Sequence, residues 1–292
     1  MRSFDYERPT SLEEAFRLLD ERGEQAHLLA GGTDLAVGIR YGTIRPGVVI
    51  DLKQIHELSP AIRLTDEGFT IGANTVMTDL EEDDRIREGF PGLVEAAEVV
   101  GSVQIRNRAT LVGNLCNASP AADTPPVLMA LDASVRIAGR SGSRRMSIDE
   151  FLVGYRQTAL QRGEVVTALQ IPEAGSRSGT AFLKLGVRRA MEISIACVGA
   201  RIDLAEDGTI ESAGIGVGSV APQTVRPTRA EEMLVGERPD PTLLAAAGSS
   251  AVEACSPIDD LRGSAEYRRA MIPVLVRRAL SAALGRARGD GR

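Results

Sequence analysis

Between Gly101 and Pro126 the chain reads GSVQIRNRATLVGNLCNASPAADTPP, a long stretch rich in small, amide and hydroxyl residues and poor in bulky apolar ones. Such a segment cannot fill a hydrophobic core. It can bring backbone and short polar side chains close to a ligand that carries many hydroxyls and carbonyls. An ordered segment of this kind inside a compact domain is more often functional than not. It offers Gln104, Arg106, Asn107, Thr110, Asn114, Asn117, Ser119 and Asp123, and Gly113 lets a ligand approach the backbone. Asp123 also reads as a helix cap beside Thr124, which starts a helix with two prolines in its first turn.

A second segment, AGGTDL at 30–35, suits phosphate. A strand ending in Gly31-Gly32 can adopt conformations closed to other residues. Successive N–H groups can then line one concavity, and the positive end of the following helix favours an anion. Thr33 adds a hydroxyl. Asp34 is expected to cap that helix and hold the loop rather than face the phosphate. The alternative is a plain strand–turn–helix with a glycine turn. Together the two segments suggest an extended cofactor with a phosphate end and a polar end.

The remaining pattern is α+β. A capped helix over 10–23, a short strand at 27–29, a helix over 35–41 and a strand at 48–52 form a βαβ-like opening. A hairpin follows at 62–72, then helices at 78–87 and 91–100, a helix from Thr124, and strands at 134–138, near 146–148 and at 165–171. Residues 173–179 (EAGSRSG) read as a linker. Strands at 181–186, 196–204 and 210–220 suggest an antiparallel meander, with helices at 228–235, 241–255 and 264–284. The expected units are residues 1–175, with subdomains 1–56 and 57–175, then 180–285, with a disordered tail at 286–292.

Composition excludes several functions. The 292 residues include 43% hydrophobic side chains, enough for a sizeable core. A net charge of −6, 3% aromatics and no Trp argue against nucleic-acid binding. Cys116, Cys197 and Cys255 are far apart and no CxxC occurs, so neither a metal cluster nor a disulfide framework is expected on this chain. No membrane-spanning run or signal sequence is read, and a cytoplasmic location is expected. Gly214-Ile215-Gly216-Val217-Gly218 imitates a dinucleotide fingerprint, but Ala221-Pro222 follows where a helix should begin, so it reads as a glycine-rich strand. Glu81–Asp84, Arg188-Arg189, Arg268-Arg269 and Arg277-Arg278 read as solvated charged faces.

AGGTDL, TIGANT at 70–75, QIRNRATLVGNLCNASPAADTPP at 104–126, GYRQTAL at 154–160, FLKLGVRRAMEIS at 182–194 and DDLRGSAEYRRAMIPVLVRRAL at 259–280 together resemble one family over essentially the full length. It is the FAD-binding medium subunit of the molybdenum hydroxylases, which include xanthine dehydrogenase, aldehyde oxidoreductase and aerobic carbon monoxide dehydrogenase. The resemblance implies a vanillyl-alcohol oxidase-like FAD-binding fold of two α/β subdomains, followed by a smaller C-terminal domain of antiparallel sheet and helices. It implies non-covalent FAD on Leu29, Ala30, Gly31, Gly32, Thr33, Asp34 and Leu35 at the diphosphate. Thr110, Leu111, Val112, Gly113 and Asn114, with Asp123, would line the ribityl chain and flavin. Val166 would pack near the flavin or adenine, Lys184 near the flavin's polar edge, and Glu192 and Ile193 beside the ring. The family's usual pattern has glycines where this chain carries Ala109 and Val112.

The implied function is an electron-transfer subunit that takes electrons from [2Fe–2S] clusters of a small partner and passes them to a terminal acceptor. A large molybdopterin partner would oxidise the substrate, in a dimer of heterotrimers. A stand-alone FAD-dependent reductase or oxidase, or a flavin-binding module without turnover of its own, remains open at this point.

Overall fold

The computed structural model describes residues 3–188 and 190–290. Three parallel strands open the chain, Asp5–Glu7, Ala26–Leu29 and Val48–Asp51, with Val48–Asp51 in the middle. The helix Leu12–Arg22 starts where Ser11 Oγ accepts the Glu14 N–H and ends at left-handed Gly23. It buries Ala15, Phe16, Leu18 and Leu19, the apolar side of a 3.6-residue period. The helix Leu35–Tyr41, closed by left-handed Gly42, connects the other two strands.

A five-stranded antiparallel sheet follows, in the order Ile62–Thr65, Gly68–Gly72, Val165–Ile171, Ser134–Gly139, Gly142–Ser147. Its central strand is buried along nearly its whole length, which explains the apolar run VVTALQI. Beyond the connection at 172–177, the strands Ser178–Leu185, Ala196–Leu204 and Ile210–Gly218 form an antiparallel meander.

Short helices occupy the region between. Instead of one helix over 78–87 there are two, Met77–Glu82 and Asp84–Gly89. Asp83 leaves the helical region between them and caps the second by accepting from the Arg85 and Ile86 N–H groups. The segment 101–126 is not one loop. Ser102 caps a helix Val103–Arg106, Thr110 caps a helix Leu111–Cys116, and Thr124–Ala130 begins a third.

The helix Thr124–Ala130 is buried on every side. It rests on the C-terminal sheet where Gly199, Gly214 and Gly216 leave no side chains. A Cβ at any of the three would collide with the backbone of Pro126, Val127 or Ala130. The glycine-rich strand is therefore a packing surface for this helix and fixes where Asp123, the residue before it, can stand. The sheet's opposite side is covered by the long helix Ala265–Arg288, which buries Ile272, Leu275, Val276, Ala279, Leu280 and Ala283.

Two sequence expectations change here. The last helix continues past Leu284 to Arg288, stopping at left-handed Gly289, so residues 286–288 are helical rather than disordered. Residues 291 and 292 lie outside the described residues, as does Arg189 of the Arg188-Arg189 pair. Arg268 is not on a solvated face. It is 3% exposed and donates to the carbonyls of Ile195 and Ser219 and to Asp260, while its neighbour Arg269 and Arg277-Arg278 are exposed. No helix among the described residues is long and apolar enough to cross a membrane.

Candidate cofactor-binding site

Two backbone segments meet at the carboxyl end of the parallel strands. Gly31 lies so close to the Arg108 carbonyl and Ala109 Cα that any Cβ there would force the segments apart. The contact is braced from the other side by Met77 N–H on the Ala109 carbonyl and Leu111 N–H on the Thr75 carbonyl, at 2.9 and 3.1 Å. The AGGTDL turn and the 108–114 segment thus form one continuous wall.

The turn is rich in free donors. Among the described residues, none of the N–H groups of Gly31, Gly32, Thr33, Asp34 and Leu35 donates a hydrogen bond within the chain. Gly32 has φ 76°, the left-handed geometry that curls consecutive N–H groups toward one point. Five successive unclaimed donors at the surface are what a diphosphate requires, so these residues fit the expected FAD. The Asp34 side chain makes no capping bond and is exposed. It holds neither the helix nor the turn, contrary to expectation. Leu29 ends its strand opposite Asp51 and is half-buried.

Along the second segment the residues divide by direction. Thr110 is buried, and its hydroxyl accepts the Gly113 N–H at 3.0 Å as a helix cap. Leu111 and Val112 send their side chains into the core and can offer a ligand only backbone. Ala109 is buried too, so both places where the family's usual pattern has glycine point inward and leave the ligand side as small as glycine would. Asn114 Oδ1 accepts the buried Thr124 hydroxyl at 2.7 Å, tying this helix to the next. Gln104 is exposed, Arg106 pairs with Glu81, and Asn107 accepts from Thr78.

Asp123 has another task than capping. It makes no cap bond. Its Oδ2 lies 2.9 Å from Lys184 Nζ, and its Oδ1 accepts the Ser194 hydroxyl at 2.8 Å. Lys184 donates also to the Glu192 carbonyl at 2.9 Å. Burial raises the Asp123 carboxyl above its usual range, with Lys184 and Ser194 pulling the other way without cancelling it. Thr110, Gly113, Asn114, Asp123 and Lys184 therefore form a connected chain, through Thr124, across the seam between the two cores. Ile193 is half-exposed beside Ser194, while Arg188 and Glu192 pair at 3.1 Å.

Val166 stands apart. It is 4% exposed, within the central strand on which the helix Leu111–Cys116 packs, and belongs to the core rather than to this wall. Three residues not singled out in the sequence stand around the site, Ser194 and Asn74 within the quoted motifs and Lys53 outside them. Ser194 becomes visible only when the meander brings it over Asp123. Lys53 donates to the Ala30 carbonyl at 3.2 Å. Asn74 donates to the Leu52 and Leu58 carbonyls, leaving its buried Oδ1 with no partner.

The comparisons cover the whole arrangement. The family described as the FAD binding domain in molybdopterin dehydrogenase matches residues 2–174, and the CO dehydrogenase flavoprotein C-terminal domain matches residues 181–283. The 6-hydroxypseudooxynicotine dehydrogenase complex subunit alpha of Paenarthrobacter nicotinovorans is 34% identical over 98% of this chain and 96% of the relative. The xanthine dehydrogenase FAD-binding subunit of Escherichia coli O157:H7 is 30% identical over 97% of both chains. A solved carbon monoxide dehydrogenase from Hydrogenophaga pseudoflava superposes with a TM-score of 0.93 at 33% identity, over 98% of both chains.

Proposed function

We propose, from the premise that this chain belongs to the FAD-binding family of the molybdopterin dehydrogenases, that it is the electron-transfer subunit of a molybdenum hydroxylase. FAD, when bound, can accept electrons one at a time and release them as a pair, so it suits a junction between iron–sulfur clusters and a two-electron acceptor. The chain's own contribution is to bind and orient it. The observation that carries the reading is the wall made by the five unclaimed N–H groups of residues 31–35 against the 108–114 segment.

In this reading residues 29–35 receive the diphosphate. Backbone of Thr110, Leu111, Val112 and Gly113, with the Asn114 side chain, receives the ribityl chain. Asp123, Lys184 and Ser194 stand at the polar end. The Lys184 ammonium, held in place by Asp123 and the Glu192 carbonyl, offers a hydrogen-bond donor at that end. Val166 faces the core and acts by shaping the floor under the helix Leu111–Cys116.

The family membership supports partner chains. Among the described residues no cluster of three or more His, Cys, Asp or Glu could hold a metal. In this reading electrons reach this chain from a small [2Fe–2S] subunit, and a large molybdopterin subunit oxidises the substrate, in a cytoplasmic dimer of heterotrimers. Affinity-tagged chain expressed in its native host should co-purify with an iron-containing and a molybdenum-containing subunit, and its flavin should be reduced when the complex meets its oxidisable substrate. Chain that purifies alone and turns over NAD(P)H with its own flavin would replace this reading by a stand-alone reductase.

A further inference from the structure

We propose that Lys53 is a positioning residue that locks the Ala30–Gly31 peptide plane, so that the Gly31 N–H faces the cofactor's diphosphate. The inference rests on the preceding reading that residues 31–35 receive that group. It begins with register. Leu29 and Asp51 are partners on adjacent parallel strands and leave the sheet at the same end. The residue after Leu29 and the second residue after Asp51 are therefore neighbours.

Asp51 organises the contact. Its side chain is 4% exposed. One oxygen accepts the Lys53 N–H at 3.0 Å and lies 2.6 Å from Lys53 Nζ; the other accepts the Tyr6 hydroxyl from the outer strand. Tethered in this way, Lys53 Nζ donates to the Ala30 carbonyl at 3.2 Å. Residues from all three parallel strands, or from just past their ends, thus converge on one peptide group.

That peptide needs holding. In a trans peptide the C=O and the next N–H point in opposite directions. No cis peptide occurs among the described residues. A carbonyl turned to Lys53 therefore sends the Gly31 N–H to the opposite side. The two glycines that follow have no Cβ to oppose rotation of the plane. Rotated by a half-turn, the same peptide would present its carbonyl oxygen to the anion and repel it. The Lys53 charge itself is balanced by Asp51 at 2.6 Å, so its effect runs through the carbonyl rather than through a direct attraction for phosphate.

The test uses the full chain stripped of flavin and titrated with FAD, and separately with riboflavin, which lacks the diphosphate. Lys53→Met should weaken FAD binding about five- to tenfold, the worth of one well-placed hydrogen bond. It should leave riboflavin binding unchanged and quicken amide exchange at Gly31 and Gly32. Lys53→Arg, which keeps a donor, should restore most of the affinity. Asp51→Asn combined with Lys53→Met removes both charges, so a loss of FAD affinity in that variant, with its circular dichroism intact, is not a folding artefact. The loss should be similar at about 0.05 and 0.5 M salt, since screening weakens only direct charge attraction between exposed groups. Wild-type FAD affinity in Lys53→Met, or a loss that salt abolishes, would overturn the proposal. The two ligands separate the two readings: if the native chain binds riboflavin as tightly as FAD, the placement of the diphosphate is wrong; if it prefers FAD and Lys53→Met keeps that preference, only the role of Lys53 falls.

Discussion

Lys184 Nζ and Asp123 Oδ2 sit 2.9 Å apart across the seam between the two cores, with 11% and 9% of their side chains exposed. Lys184 offsets part of the desolvation of Asp123. Removing one partner of such a buried pair typically costs about 3–5 kcal/mol, because the survivor is left as an uncompensated charge. Lys184→Met and Asp123→Asn should each lower the denaturation midpoint strongly. The double variant should be destabilised by clearly less than the sum of the two, and a denaturant-melt cycle that gives simple additivity would refute a coupled pair.

The same carboxyl has an unusual pH signature. Its folded-state pKa is raised, chiefly by burial. A raised carboxyl contributes stability that is present below its unfolded pKa and is lost as pH rises through the folded one. Relative to Asp123→Asn, the native protein should therefore lose stability as pH rises above about 4. Glu164, held below its usual range by hydrogen bonds from Arg144 that outweigh partial burial, should show the opposite slope against Glu164→Gln. The Glu164 effect falls as pH drops below about 4, so urea melts from about pH 2.5 to neutrality check both, and parallel curves for Asp123→Asn and the native chain would contradict the assignment.

What the sequence made legible, and what it hid, follows from the range of the forces involved. The opening βαβ unit was readable because its boundaries are local: Ser11 caps one helix, and Gly23 and Gly42 close two. The central strand was readable from its continuous apolar run. The segment 101–126 reads from sequence as a ligand loop and not as helices, since four- and six-residue helices are too short to display a period. Arg268 was misread because nothing in its own helix says that the sheet ends above it with two unsatisfied carbonyls, those of Ile195 and Ser219. The Tyr6–Asp51–Lys53 contact depends on strand register between residues far apart in sequence, which no local pattern encodes.

Asn114 separates structural from ligand-binding roles. Its Oδ1 is the hydrogen-bond acceptor for the fully buried Thr124 hydroxyl. Asn114→Ala should leave that hydroxyl unsatisfied and cost about 1–3 kcal/mol. Asn114→Asp keeps the acceptor and should stay closer to wild type in stability. Both should bind FAD more weakly, one by losing a polar contact and the other by placing negative charge near a phosphate-bearing ligand. Equal stability of the two variants would mean that the Thr124 bond contributes nothing.

Gly216→Ala tests whether the glycine track positions Asp123. The added Cβ would meet the Pro126 carbonyl. The helix Thr124–Ala130 must then lift from the sheet, at a cost of about 1–3 kcal/mol for an overpacked core. The movement should also carry Asp123 away from Lys184 and lower FAD affinity, although residue 216 is not itself in the wall. A destabilised variant with unaltered flavin affinity would show that the site tolerates the shift.

The cysteines yield a prediction that touches the whole fold. Burial pushes the thiols of Cys116, Cys197 and Cys255 up to about 12, and all three are free. Only the thiolate is an effective nucleophile, so at pH 8 almost none of each is reactive. The folded chain should resist a disulfide reagent for as long as it stays folded. All three thiols should react on unfolding, at a rate set by opening of the core rather than by reagent concentration. Cys197 should be the slowest under partial denaturation. It lies fully buried on the meander strand that pairs with Lys184, where the negative charge of Asp123 further disfavours its thiolate. Rapid labelling of Cys197 in the native protein would place an opening at the Asp123–Lys184 seam.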